Sequence, residues 1–386
     1  MKSPIIKNVL PVLRAGLSAT LVMLSLFLPG SVYADSLTNE IEAVIKPYVS
    51  HHVFSGAVLV AKNGKVIYQQ GHGLANREWE LSNTPQVKFN IASMTKSITA
   101  ALILKLVEQG KLSLNDTISQ HLPEFDKKKG EKITISHILS HRTGLPRAFI
   151  IPGWFTGKFS GQVSNKEFAD VIGKQDLLFE PGTEARYTNL GYFLLGLIIE
   201  SATGQTYEQV LQQQLLTPLN LINTGIAHHS SVLSLRASGY RVAKNGGYKN
   251  QSYINLKVFG AGSAMYSTVQ DLFKWDQALY GTDFLNAESK KFLFGPRDNF
   301  GFYVQRFPLG EDGIEPNSTI ANGELLGFSS VMTRFVDQKH TIIILSNNAI
   351  NEVEKRRLAS ELTAVLYDEE SSLSKIPLSF ILTKAL

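Results

Sequence analysis

The chain contains no cysteine. That absence excludes a thiolate nucleophile, a cysteine-bound metal, a disulfide framework and a lipid-modified N-terminal cysteine. At 386 residues the protein buries a core large enough to stand without disulfides. Charge is also sparse: charged residues form 18% of the sequence, and the formal net charge is only +5. There is no long Lys/Arg run, and Lys127-Lys128-Lys129 reads as a solvated loop, so nucleic acid is not an expected partner. Internal repeats and low-complexity tracts are missing too, which removes repeat arrays from consideration.

Long apolar runs are confined to the N-terminus. Lys2, Lys7 and Arg14 form a basic start, residues 15–28 carry no charge, and Val32-Tyr33-Ala34 offers a small-residue cleavage site. These are the three parts of a secretory signal peptide. The uncharged run is short for a membrane span, which needs roughly 20 apolar residues. The reading is a signal peptide over 1–34 and an exported protein, periplasmic or secreted. Removing the leader takes the net charge from +5 to +2. Further on, Leu190–Ile199 is the strongest apolar run and about half the length of a span, so no transmembrane segment is expected after the leader.

What is present reads as one domain over 35–386. Ser55–Lys62 and Lys65–Gln70 are strand-like runs joined by Asn63-Gly64, a dipeptide that supplies the two positive φ angles of a tight hairpin. Phe328–Val336 and Thr341–Ser346 repeat the arrangement, and Asn299–Arg306 is a further strand candidate. Helices are expected at roughly Leu37–Val49 and at Glu352–Tyr367. Between the strand-rich ends, Met94–Gln109 and Leu190–Ala202 are long apolar helices stopped near Gly110 and Gly204. Thr268-Val269-Gln270-Asp271 reads as a capping box opening another helix. The fold class is therefore α/β of the α+β type: an antiparallel sheet built from both chain ends and flanked by helices, with a largely helical insertion. Its sheet part covers about 35–88 and 256–370, and its helical part about 89–255. The tail after Asp368 is unassigned.

Candidate chemistry begins at Ser93-Met94-Thr95-Lys96. Positions i and i+3 share one helix face, so the Lys96 amine can reach the Ser93 hydroxyl. A serine needs a partner to take its proton, and a buried lysine can do so because desolvation penalises its charged form. The spacing recurs at Ser372-Leu373-Ser374-Lys375 in the polar tail, where it carries no meaning. Tyr187-Thr188-Asn189 is the second element: tyrosine can act as a base if nearby cations lower its pKa, and asparagine can orient a substrate amide. Tyr248-Lys249-Asn250 and Tyr253-Ile254-Asn255 repeat that spacing, but only the first copy sits between a Pro181-Gly182 turn and a long apolar helix.

The stretch Phe89-Asn90-Ile91-Ala92-Ser93-Met94-Thr95-Lys96-Ser97 resembles the active-site helix start of the class C β-lactamase-like serine hydrolases. That family includes β-lactamases, D-alanyl-D-alanine peptidases, D-aminopeptidases and carboxylesterases. Further segments resemble it in order: Gly110–Asp116; Ile133–Pro146 with Ser140-His141-Arg142-Thr143-Gly144-Leu145-Pro146; Phe179–Tyr192; Gly260–Trp275; Gly327–Ser330; and Leu345–Asn347. The resemblance implies a β-lactamase/transpeptidase-like fold and a serine acyl-hydrolase acting on an ester or amide through an acyl-enzyme. It implies Ser93 as nucleophile, Lys96 as its activator and Tyr187 in proton transfer. Asn189, Asn322, Gly323 and Glu324 would bind substrate, with the Ser93 N–H and a backbone N–H near Glu324 as oxyanion donors.

One position departs from the family pattern. Its third motif places Lys or His two residues before the glycine, whereas here the sequence reads Ala321-Asn322-Gly323. The cation that would hold a substrate carboxylate and keep the tyrosine ionised is missing, which disfavours β-lactams and D-alanyl peptides more than esters. Asn322 and Arg334 are candidates to replace it. The alternative reading is a non-catalytic relative that binds cell-wall peptide or a partner protein. Ala321 favours that reading, and the retained Ser93, Lys96, Tyr187 and Asn189 favour catalysis. His137 and His141 are four apart, as zinc ligands on a helix would be, but no Glu follows the first and no third ligand stands at a telling distance. A structural role is expected for both. The Gly-x-Ser-x-Gly elbow is absent. No metal and no cofactor is implied, because an activated serine transfers an acyl group unaided. Trp154 and Phe155, in the loop Arg147–Gly161, are either a lipophilic acyl site or a packed loop.

Overall fold

A computed structural model describes residues 29–155, 163–228, 230–243, 247–251, 254–295, 300–304, 309, 316–349 and 352–369. The basic start and apolar run of the expected leader lie outside these residues, as do Tyr253, Ser372–Lys375 and the end of the Arg147–Gly161 loop. The first described helix, α1 (Pro29–Ser50), begins inside the expected leader and includes the anticipated Leu37–Val49.

Six antiparallel strands form the main sheet: β1 (Gly56–Lys62), β2 (Lys65–His72), β3 (Tyr303–Val304), β4 (Ser318–Leu325), β5 (Phe328–Phe335) and β6 (His340–Ser346), in the order β3-β4-β5-β6-β1-β2. The two chain ends meet where β1 pairs with β6, from Gly56 opposite Ser346 to Ala61 opposite Thr341. Asn63 and Gly64 turn the first hairpin with φ 54° and 72°, the left-handed pair that Asn-Gly favours.

Successive strand side chains point to opposite faces, and here both faces are buried, which is why β1 and β6 read as continuous apolar runs. One face carries Val58, Val60, Ile342 and Ile344, packed by Ile41, Ile45 and Tyr48 of α1 and by Leu358 and Leu362 of α5 (Glu352–Tyr367). The other carries Ala57, Leu59, Met332, Ile343 and Leu345, continuous with the core of the helical part. At the centre of that core lies α2 (Thr95–Glu108), buried on every side from Thr95 to Leu104, as a helix without a polar face must be. Beside it, α3 (Asn189–Thr203) opens on Thr188, whose hydroxyl accepts the Leu190 N–H at 3.2 Å, and ends at Gly204 with φ 68°. Among the described residues no helix is long and apolar enough to cross a membrane.

Two local expectations are corrected. Within Asn299–Arg306 only Tyr303–Val304 is strand among the described residues. Ahead of α4 (Val269–Ala278), Thr268 caps the helix by accepting the Asp271 N–H at 3.2 Å, but the reciprocal half of the box does not form. The Asp271 carboxylate instead accepts from the Asn223 N–H (2.7 Å), the Thr224 hydroxyl (3.1 Å) and the Lys274 amine (3.1 Å). An aspartate is one methylene shorter than the glutamate that usually reaches back, and these nearer donors take it.

Candidate active site

Ser93 lies in a 3₁₀ turn (Ala92–Met94) that leads directly into α2. The turn is forced: Ala92 holds φ 48°, uncommon for a residue with a Cβ, and the Asn90 side chain pins it by accepting the Ala92 N–H at 2.8 Å. The Ser330 hydroxyl donates to the Ile91 carbonyl at 2.8 Å from β5, and the Ile91 N–H donates to Met265 at 3.0 Å. From β4, Gly323 presses against the same turn. A Cβ added there would stand 2.5 Å from both the Ile91 carbonyl oxygen and the Ser93 nitrogen. Only glycine admits this approach.

One turn along α2, the Lys96 side chain is buried. Its Nζ lies 3.1 Å from Ser93 Oγ, 2.7 Å from Asn189 Oδ1 and 2.9 Å from the Gly262 carbonyl oxygen. Among the described residues no carboxylate forms an ion pair with it, and burial holds the amine well below the usual lysine range. Tyr187 approaches from the segment ahead of α3, its hydroxyl 2.7 Å from Ser93 Oγ and 3.1 Å from Asn189 Oδ1. Burial pushes the phenol up, opposed by its hydrogen bond to Ser93 and by the positive charge of Arg147. Both groups are therefore driven toward their neutral forms. Thr188, between Tyr187 and Asn189, fixes that stretch, its hydroxyl donating to the Pro146 carbonyl at 2.6 Å.

These groups open into a cavity of about 800 Å³ that Ser93, Lys96, Tyr187, Asn189, Asn322, Gly323 and Glu324 all line. Seven residues picked from three separate stretches of sequence thus converge on one space. The loop that begins at Arg147 also lines it, through Arg147 and Phe149, and so do Tyr303 and Lys355, which sequence reasoning missed. Behind the serine, Ser263 Oγ lies 3.4 Å from Ser93 Oγ and donates to the Gly262 carbonyl at 2.6 Å. The run Gly260-Ala261-Gly262-Ser263 was a usable signal, since such small residues mark a close approach of backbone.

Ala321 faces the core and is fully buried. Of its two suggested replacements, Asn322 lines the cavity. Arg334 does not: it is buried, ion-paired with Asp276, and stacked over Tyr280 and Phe294 at 4.9 Å each. Trp154 is a core residue packed edge-on against Phe168 and Phe193, whereas Phe155 lines the cavity. Tyr248–Asn250 pairs with Tyr240–Val242 in a separate hairpin. His137 Nδ1 accepts the Thr134 N–H at 3.3 Å in a helix cap, and His141 packs behind Tyr187. Among the described residues no cluster of three or more His, Asp or Glu could hold a metal ion.

The β-lactamase family model matches residues 41–365. Penicillin-binding protein 4* of Bacillus subtilis (strain 168) is 30% identical over 322 residues, covering 77% of this chain and 68% of that one. Protein flp of Staphylococcus aureus (strain MRSA252) is 29% identical over 339 residues, covering 81% and 64%. The chain thus spans about two thirds of the length of these curated relatives. Among solved structures, a penicillin-binding protein from Bacillus halodurans superposes with a TM-score of 0.72 at 22% identity, over 85% of this chain and 98% of that one. D-amino acid amidase from Ochrobactrum anthropi SV3 gives 0.72 at 22% identity, over 86% and 99%. EstCE1, a hydrolase with promiscuous acyltransferase activity, gives 0.69 at 20% identity, over 87% and 100%. With a family match running through both halves of the sheet and the helical part between them, the chain belongs to the β-lactamase family of serine hydrolases.

Proposed function

We propose that the protein cleaves an ester or amide through an acyl-enzyme on Ser93, with Lys96 as the base and Tyr187 as the proton carrier to the leaving group. The observation that carries this reading is the set of acceptors around Lys96. A neutral amine has two N–H donors and one lone pair. Asn189 Oδ1 and the Gly262 carbonyl take the two donors, which leaves the lone pair for the Ser93 hydroxyl at 3.1 Å. A lysine pushed toward its neutral form by burial is suited to remove that proton, whereas a phenol pushed up by burial is suited to give one away.

In the reaction so proposed, Ser93 Oγ bonds to the carbonyl carbon as its proton passes to Lys96. The Ser93 and Glu324 backbone N–H groups hold the developing oxyanion. The carbon–leaving-group bond then breaks as Tyr187 delivers a proton to the departing atom and is reprotonated from Lys96. Water enters by the same route, and the serine is freed. Removing one oxyanion donor from such a site typically costs ~10²–10³ in rate. The relatives include an amidase and a hydrolase with acyltransferase activity, which supports acyl transfer as the chemistry class. The missing cation at position 321 keeps alive the reading of a binding-only relative, and an exported setting rests on the N-terminal sequence alone.

The test is hydrolysis of a short p-nitrophenyl ester by the purified protein beside Ser93→Ala. Activity that vanishes in the variant supports the reading. Equal activity in both refutes Ser93 as nucleophile, and tight binding of cell-wall peptide without turnover would favour the binding-only relative.

A further inference from the structure

Two hydrogen bonds clip the backbone on either side of Tyr187 to one residue. The Arg186 N–H donates to the His141 carbonyl at 2.8 Å, and the Thr188 N–H donates to His141 Nδ1 at 3.4 Å. Between these clips the His141 ring packs behind the phenol, with centroids 4.6 Å apart and planes tilted by 42°, and it lies 5.2 Å from Tyr192 on α3. We propose that His141 is a positioning residue that fixes the Tyr187 hydroxyl over Ser93. The inference rests on the reading of Tyr187 as proton carrier and adds the group that aims it.

Two features argue that the nitrogen matters and not only the ring. An imidazole that accepts at Nδ1 carries its proton on Nε2. Here Nε2 is buried with no hydrogen-bond partner among the described residues. A side chain needed for packing alone would be better without that unsatisfied group. The backbone suits the residue as well: His141 has φ 58°, a left-handed conformation that asparagine, aspartate and histidine adopt more readily than other residues with a Cβ. Burial, and the nearby charge of Lys96 when it is protonated, hold the imidazole down to about 3, so Nδ1 keeps its lone pair at neutral pH. The role is indirect: among the described residues no hydrogen bond joins His141 to Ser93 or Lys96, and it acts through the placement of Tyr187.

The experiment compares kcat and KM on p-nitrophenyl acetate for the intact chain, His141→Phe, His141→Asn, Tyr187→Phe and the double variant His141→Phe/Tyr187→Phe. Phenylalanine keeps the ring and loses the acceptor, whereas asparagine keeps an acceptor near the Nδ1 position and tolerates the backbone angle. A misplacement of ~1 Å near reacting groups can cost ~10²-fold. The expected result is a kcat at least ~10-fold lower in His141→Phe with KM nearly unchanged, and recovery to within a few-fold in His141→Asn. In the Tyr187→Phe background, His141→Phe should add almost nothing, because the two act as one unit. Full kcat in His141→Phe, failure of asparagine to recover it, or additive losses in the double variant would overturn the proposal. A fully active Tyr187→Phe would overturn the reading beneath it instead. If His141→Phe does not fold, His141→Gly, which accepts the backbone angle and keeps the carbonyl clip, carries the same expectations.

Discussion

Gly323→Ala is the substitution whose effect follows most directly from the packing around Ser93. The new Cβ would lie 2.5 Å from the Ile91 carbonyl oxygen, 2.5 Å from the Ser93 nitrogen and 2.9 Å from the Ala92 Cβ. Unstrained heavy atoms meet at about 3.5 Å, so β4 and the serine turn must part by roughly 1 Å. The turn has little room to give, because Asn90, Ser330 and Met265 already tie it down. On the proposed mechanism, separation pulls the Glu324 N–H away from the Ser93 N–H, so that the two would no longer hold one oxyanion. Losing one such donor costs ~10²–10³ in rate, which is about 3–4 kcal/mol of barrier. Overpacking costs about 1–3 kcal/mol of stability, so the variant remains folded with a Tm a few degrees lower. The assay is kcat/KM on a p-nitrophenyl ester beside a thermal unfolding scan. A folded variant whose kcat/KM stays within ~3-fold of the parent would refute the argument that β4 supplies half of the oxyanion site.

Lys96→Ala should lower kcat by ~10²–10⁴. It should still fold, because the acceptors it leaves keep other donors: Asn189 Oδ1 retains Tyr187, and the Gly262 carbonyl retains Ser263. Unchanged turnover would contradict Lys96 as base. The pH profile carries the sign of the lysine's perturbation. Only the neutral amine accepts a proton, and burial lowers its pKa, so acylation falls as pH drops through that lowered value and is retained above it. A limb near the ordinary lysine value of about 10.4 would show an unperturbed amine. Away from the site, Arg334→Met strands the buried Asp276 carboxylate, which among the described residues keeps only the Thr341 hydroxyl (2.6 Å) and the Gln277 amide (2.8 Å). Urea unfolding should show a loss of ~3–5 kcal/mol, and a change below ~1 kcal/mol would mean the pair contributes little.

What could be read from the sequence was what local chemistry determines. The Asn63-Gly64 hairpin, the glycine stop at Gly204 and the α5 helix follow from neighbouring residues, and all three appear where expected. Ser93 and Lys96 were legible for the same reason, since one helical turn separates them. The remaining groups depend on distant pairing. The Gly262 carbonyl meets Lys96 across 166 positions of chain, and a backbone oxygen leaves no mark in the sequence. Arg334 could not be placed from the sequence, because the Asp276 that binds it sits 58 residues earlier, on a helix whose packing only the fold reveals. His141 was read as structural, which its backbone clips bear out, but its seat behind Tyr187 depends on how two loops meet. Ala321 remains the departure from family pattern, and its side chain turns into the core rather than the cavity.

The acyl-enzyme proposed on Ser93 can be sought by mass spectrometry. The protein is incubated with a fluorophosphonate, a phosphorus electrophile that an activated serine attacks with loss of fluoride, then digested and sequenced by fragmentation. The account predicts a phosphonyl adduct on Ser93, formed much more slowly in Lys96→Ala and absent in Ser93→Ala. An adduct on any other residue, or none on a protein that still hydrolyses p-nitrophenyl esters, would contradict it.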